Sequence, residues 1–299
     1  MKLAVGPILY LWERARALEF YAALCDAPVD IVYLGEVVCS KRRMLEREDW
    51  TEVARRLAAA GKQVVVSTLA LVEAESELAT LARLVDGAAG MFEANDYAAV
   101  DCAQGRAFVA GPHLNVYNAA TLALLAKHGA RRWVAPVELP LATLESLAAT
   151  RPAGLEIEVF AYGRLPLAFS ARCFTARAGN RPKDDCGFIC GAHPDGITLR
   201  SREDQPFLAL NGIQTQSAAV QNLLPRLAQL RAAGVDVLRL SPQSAGFLDG
   251  GRASEDARQA GPGAGLPEPF LPGGHCDGYP DGSAGMARVA TAAGATPPR

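Results

Sequence analysis

Residues 30–71 read DIVYLGEVVCSKRRMLEREDWTEVARRLAAAGKQVVVSTLAL, and the change of hydrophobic period along them decides the fold. DIVYLG (30–35) is a short β-branched and aromatic run, the pattern of a buried strand. DWTEVARRLAAAG (49–61) then repeats its apolar residues at helical spacing and closes on Gly61, a residue suited to a helix C-cap. QVVVSTLAL (63–71) returns to a strand pattern. Strand, helix, strand is the βα unit, because the connection between parallel strands has to cross back over the sheet.

The alternation continues outward in both directions. Further strand candidates are LAVGPILYL (3–11), MFEAND (91–96), AFVAG (107–111), RWVAPVEL (132–139), LEIEVFAYG (155–163) and DVLRLSPQ (236–243), with helical patterns at ESELATLARLVDG (75–87) and AATLALLAKHG (119–129). Eight strands with intervening helices predict an α/β fold, a somewhat irregular (β/α)8 TIM-barrel-like domain over residues 1–248. A doubly wound open sheet shows the same alternation and is the competing architecture. LNGIQT (210–215) reads as a short extra strand and turn between the seventh and eighth units. The segment 249–299 holds 11 Gly and 7 Pro in 51 residues, which predicts an irregular, partly disordered tail whose one chemically distinctive stretch is HCDGY (275–279).

A chain of 299 residues with 50% hydrophobic residues can bury a large core. Its 30 basic and 32 acidic residues leave a net charge of −2 without long runs of one sign, so no global field recommends nucleic acid or an anionic membrane as a partner. No apolar run reaches membrane-spanning length, and MKLAVGPILYLWERAR lacks the features of a secretory signal. The expectation is a cytoplasmic protein whose thiols stay reduced, and whose seven cysteines are ligands plus leftovers rather than a disulfide framework. There is no H-E-x-x-H, no G-x-S-x-G and no Gly-rich phosphate loop after a strand, and His113, His128, His193 and His275 form no metal pair at helical spacing.

The thiols carry more. CFTARAGNRPKDDCGFIC (173–190) places Cys173, Cys186 and Cys190 with 12 and then 3 residues between them, so one loop could bring three sulfurs to one centre. Cys39 in EVVCSKRR (36–43) is the best fourth member, since it follows a predicted strand and a barrel mouth gathers distant βα loops. Four thiolates suit a tetrahedral zinc or an iron–sulfur cluster, and spacing alone does not choose. Lys41, Arg42, Arg43, Arg172, Arg177, Arg181 and Lys183 crowd the same segments, where they would offset an anionic centre or hold a carboxylate. Cys25 and Cys102 read as small buried hydrophobes, and Cys276 is ambiguous. His113, with Asn115, Tyr117 and Asn118 beside it, either faces the mouth or closes a turn.

EVFAYGRLPLAFSARC (158–173) resembles the signature of the collagenase-like (U-type) peptidase family, E-x-F-x-H-G-x-x-C-x-x-Y-S-G-x-C. Glu158, Phe160, Gly163, Ser170 and Cys173 match it. Tyr162 stands in place of His, Pro166 of Cys, Phe169 of Tyr and Ala171 of Gly. GPILYLW, YLGEVVCSKRR, STLALV, LPLAFSARCFTAR, RPKDDC, LNGIQT and RLSPQ are similar, in the same order, to the branch of that family serving oxygen-independent ubiquinone biosynthesis. In that branch the cysteine of E-x-V-C-S-K-R replaces the one missing at Pro166. The resemblance therefore implies Cys39, Cys173, Cys186 and Cys190 as ligands of a [4Fe-4S] cluster. It further implies a heterodimer with a UbiU-like protein, hydroxylation of the ubiquinone precursor ring without dioxygen, and a small anionic oxygen donor such as prephenate. HCDGY resembles the branch's C-terminal C-N-G-Y-W, with Asp277 and Pro280 departing. Rival readings are a peptidase, weakened by Tyr162, a zinc-stabilised interaction protein without catalysis, and a transfer-RNA base hydroxylase, weakened by the lack of a basic face.

Overall fold

The computed structural model describes residues 1–244, Phe247 and 273–289. Six βα repeats and a seventh strand open the chain: β1 (Lys2–Val5), α1 (Arg14–Asp26), β2 (Ile31–Leu34), α2 (Arg47–Ala59), β3 (Gln63–Ser67), α3 (Glu75–Gly87), β4 (Phe92–Ala94), α4 (Tyr97–Ala103), β5 (Phe108–Ala110), α5 (Ala119–Lys127), β6 (Ala130–Val134), α6 (Leu141–Ala149) and β7 (Glu156–Phe169). After an insertion, α8 (Leu227–Ala232) leads into β11 (Val237–Leu240). Neighbouring strands pair in parallel from β1 through β7, and β11 pairs in parallel with both β7 and β1. That double pairing closes a (β/α)8 barrel and excludes the open sheet. Among the described residues no helix is long and apolar enough to cross a membrane.

Alternation along each strand sorts the side chains. Inward positions of the lower barrel form an apolar plug of Ala4, Ile31, Tyr33, Val65, Val109, Val134 and Val237, as expected where strand side chains fill a barrel of eight strands. The outward set, including Leu3, Val5, Val32 and Leu34, joins the larger core beneath the helices. Local chemistry starts the helices where the sequence says it should. Asp96 accepts from the Ala98 N–H to cap α4, and Asn118 accepts from the Thr121 N–H to cap α5. Asn118 is thus a turn-closing residue, and Tyr117 is exposed and donates to Glu138.

β7 is longer than the sequence pattern predicts. Glu156, Ile157 and Glu158 pair with β6, but from Tyr162 to Phe169 the strand pairs antiparallel with β10 (Gln214–Asn222). The change of partner falls beside Gly163, at φ +136°, where an added Cβ would lie 2.6 Å from the Ser241 Cβ and 2.9 Å from the Phe160 ring. Only glycine fits that bend. Between β7 and β11 lie α7 (Phe174–Ala178), β8 (Ile197–Arg200), β9 (Pro206–Asn211) and β10, the strands forming an antiparallel sheet on the β7 extension. LNGIQT is therefore the tip of a long β9–β10 hairpin rather than a short addition. The rest of β10 leaves no strand pattern in the sequence because register shifts at Thr215/Gln216 and Gln216/Val220 interrupt its period of two.

Part of the tail, residues 273–289, also packs back against the insertion. β12 (His275–Cys276) pairs with β10, Cys276 packs against Leu165 and Ala219, and Arg226 meets Asp277 at 3.0 Å and Asp281 at 2.5 Å. Residues 249–272 and 290–299 of the expected irregular tail lie outside the described residues.

Candidate functional site

Two neighbouring features occupy the C-terminal side of the barrel. The first is a concavity of about 370 Å³, including space open to solvent, lined by Cys39, Cys173, Cys186 and Cys190 together with Lys41, Arg42, Lys183, Phe188 and Gly212. Cys39 comes from the turn after β2. There the Glu36 carboxylate accepts from the Val38 and Cys39 N–H groups at 2.8 and 3.0 Å and fixes the loop. Cys173 follows the β7 extension, which ends at Phe169, and caps α7, its sulfur accepting from the Ala176 N–H at 3.4 Å. Cys186 and Cys190 flank Gly187 and Phe188, two consecutive left-handed residues at φ +56° and +51° that reverse the chain. The β9–β10 hairpin holds the group from below: the Phe174 N–H donates to Gly212 O at 3.0 Å, and the Gly212 N–H to the Thr175 hydroxyl at 2.8 Å.

Among the described residues, no three Cys, His, Asp or Glu side chains converge tightly enough to hold a single metal ion. The thiols surround the concavity rather than meet at a point. Burial pushes the Cys39 thiol up, against the Lys41 N–H and the Arg42 charge, and burial likewise raises Cys190 against Arg42. Cation charge is therefore already placed to favour thiolates once a positive centre binds.

Of the seven predicted cations, three line the concavity. The Arg42 side chain is 1% exposed, lies 3.9 Å from Glu36, and donates to Leu9 O and Asn211 Oδ1, each at 2.7 Å. Lys41 reaches Asp184 at 2.6 Å, and Lys183 pairs with Glu73, so both lysines bolt the cysteine loop to βα loops. Arg43, Arg172, Arg177 and Arg181 are exposed. Cys25 and Cys102 pack against the core but are only half-buried, whereas Cys276 is buried.

The second feature is a charged network on inward positions of the barrel strands, of which the sequence points only to Glu158. Arg239 Nε donates to Glu158 Oε1 at 2.6 Å and Nη1 meets Glu93 Oε1 at 2.7 Å, with its guanidinium 4.0 Å above the Tyr33 ring. Tyr33 donates to Glu158 at 2.5 Å and accepts from Arg132 at 3.1 Å. Burial would raise the Glu93 pKa, but Arg239, Ser67 and Asn95 together hold it below its ordinary value. His113, in the turn after β5, stacks edge-on against Phe169 at 4.7 Å, and burial pushes its pKa down to about 4. The available signal was a charge inside each doubly buried strand: Glu93 in MFEAND, Arg132 in RWVAPVEL and Arg239 in DVLRLSPQ.

Residues 16–247 match the model of Peptidase family U32. A solved U32 peptidase is similar over 81% of this chain and 93% of its own, at 10% identity and a TM-score of 0.45. Dihydropteroate synthase from Thermus thermophilus covers 87% and 94% at 15% identity and a TM-score of 0.42. Tryptophan synthase from Mycobacterium tuberculosis covers 88% and 93% at 14% identity and a TM-score of 0.43.

Proposed function

The chain belongs to peptidase family U32, and from that premise we propose that it is the iron–sulfur subunit of an oxygen-independent hydroxylation system acting on the ubiquinone precursor ring. The UbiV branch of the family, which the ordered segments resemble, works in this way beside a UbiU-like partner. The observation that carries the reading is that Cys39 and the three cysteines of one loop, remote in sequence, line a single concavity rimmed by Lys41, Arg42 and Lys183.

Four sulfur donors spread around a space suit a group several atoms across better than one ion, so the donor set fits a [4Fe-4S] cluster held by Cys39, Cys173, Cys186 and Cys190. Such a cluster supplies one-electron chemistry when bound. The chain's own residues do the rest: Arg42, buried and fixed by Leu9 O and Asn211, presents permanent positive charge toward the sulfurs. Lys41 and Lys183 hold the loop in register with the barrel and are placed to draw in an anionic oxygen donor such as prephenate. Tyr162, at the family's histidine position, is partly buried with its pKa raised by that burial, and supplies no base for peptide hydrolysis.

The test is restoration of anaerobic ubiquinone formation in cells lacking this chain, with a UbiU-like protein present. The native chain is expected to restore it, and the Cys39→Ala and Cys186→Ala chains to fail alike. Restoration by Cys39→Ala at the native level would remove Cys39 from the ligand set and the reading with it.

A further inference from the structure

Five arginines are buried among the described residues: Arg42, Arg132, Arg164, Arg226 and Arg239. Four of them have a carboxylate oxygen within 4 Å, Arg42 at Glu36, Arg132 at Glu156 and Glu158, Arg226 at Asp277 and Asp281, and Arg239 at Glu93 and Glu158. Arg164 has none. It lies on β7 just past the bend at Gly163, is 2% exposed, and spends Nη1 on the backbone carbonyl of Asp195. The Asp195 carboxylate is turned away onto Ser244, accepting from its N–H at 2.8 Å and from its hydroxyl. Arg164 Nε finds no acceptor. A cation removed from water without a counter-charge is among the costlier arrangements a fold can keep.

A second, independent observation sits beside it. Gln216 on β10 is fully buried, and neither its amide oxygen nor its amide nitrogen completes a hydrogen bond of good geometry. Both Gln216 and Arg164 lie next to the Tyr10 hydroxyl, which the first βα loop carries over the barrel mouth. Three elements thus converge a guanidinium N–H, an amide and a phenol on one place; the Asp195 carboxylate is felt at the Tyr10 hydroxyl but spends its oxygens on Ser244, so what the three lack is a negatively charged acceptor in hydrogen-bond contact. A carboxylate meets that need, since its oxygens take several charge-assisted hydrogen bonds at once.

We propose that Arg164, Gln216 and Tyr10 form a binding site for a small carboxylate, with Arg164 as its counter-ion and the Gln216 amide and Tyr10 hydroxyl as donors to its oxygens. The site adjoins the thiol concavity, because Leu9, the residue before Tyr10, accepts at 2.7 Å from Arg42, which lines that concavity. It requires nothing of the thiols, so it stands or falls separately from the cluster.

The probe is acetate, titrated into the full chain against sodium chloride at equal ionic strength while the thermal unfolding midpoint is followed. Acetate at ten times its dissociation constant is expected to raise the midpoint of the native chain by about 2–4 °C. Arg164→Met is expected to abolish the rise. Gln216→Glu supplies the missing carboxylate from within, so its midpoint should exceed the native one without acetate and no longer respond to it. No acetate effect beyond chloride in the native chain would overturn the proposal. So would an undiminished response in Arg164→Met, or a Gln216→Glu chain that is destabilised and still responds. If Arg164→Met fails to fold, Gln216→Glu decides alone.

Discussion

Among the described residues Arg239 is the one cation shared by Glu93 and Glu158, all three buried inside the barrel. Replacing it with methionine keeps the volume, strands the Glu93 carboxylate in low dielectric and leaves Glu158 with only Arg132 at 3.6 Å and the Tyr33 hydroxyl. Arg239→Met is therefore expected to cost about 3–5 kcal/mol in urea unfolding, and a loss under about 1 kcal/mol would contradict the network's role. His113 makes the stability of the fold depend on pH. Its pKa is lowered from 6.5 to about 4 by burial against Phe169. The unfolded chain then binds the extra proton between those values, so stability is complete above about pH 6.5 and falls as pH drops toward 4. Since the ring is only half-buried, a discounted loss of about 1–2 kcal/mol is expected between pH 7 and pH 5, and it should vanish in His113→Gln. An equal pH slope in both proteins would assign the effect elsewhere. At this scale the four thiols were legible from spacing and order, whereas the partners of Arg42 and Arg239 were not. Leu9, Asn211, Glu93 and Glu158 are brought to them only by closure of the barrel and by the inserted hairpin.

The bend in β7 is the element on which the site depends. From Gly163 onward the strand leaves the barrel, takes β10 as its partner and delivers Cys173 to the concavity. Gly163→Ala would combine a left-handed φ of +136° with contacts of 2.6 Å to Ser241 and 2.9 Å to Phe160. The expected cost is about 2–3 kcal/mol or more, with weakened cofactor retention, because the strand can relieve the clash only by shifting the extension. Native stability in that variant would mean the bend is tolerant of a side chain. The barrel strands read clearly because each is a short, doubly apolar run. β8, β9 and the body of β10 did not, since bulges and the small residues Ser217, Ala218 and Ala219 leave no hydrophobic period to follow.

Over the whole molecule, the closed barrel supplies a rigid frame, and the insertion between β7 and β11 converts one side of its mouth into a thiol-lined concavity backed by buried cations. Eight alternating units were legible, but they suit an open sheet as well, and closure shows only in β11 pairing with both β7 and β1; the return of residues 273–289 to β10 is announced by no periodicity and rests on Cys276 packing and the Arg226 ion pairs. At the centre of this molecule, we propose, these four cysteines hold an iron–sulfur cluster. Anaerobic purification followed by iron, sulfide and zinc analysis with a visible spectrum tests it most directly. About four irons and four sulfides per chain, with broad absorption near about 400 nm, is the predicted result; one zinc per chain without sulfide would contradict it and make the loop a structural clamp.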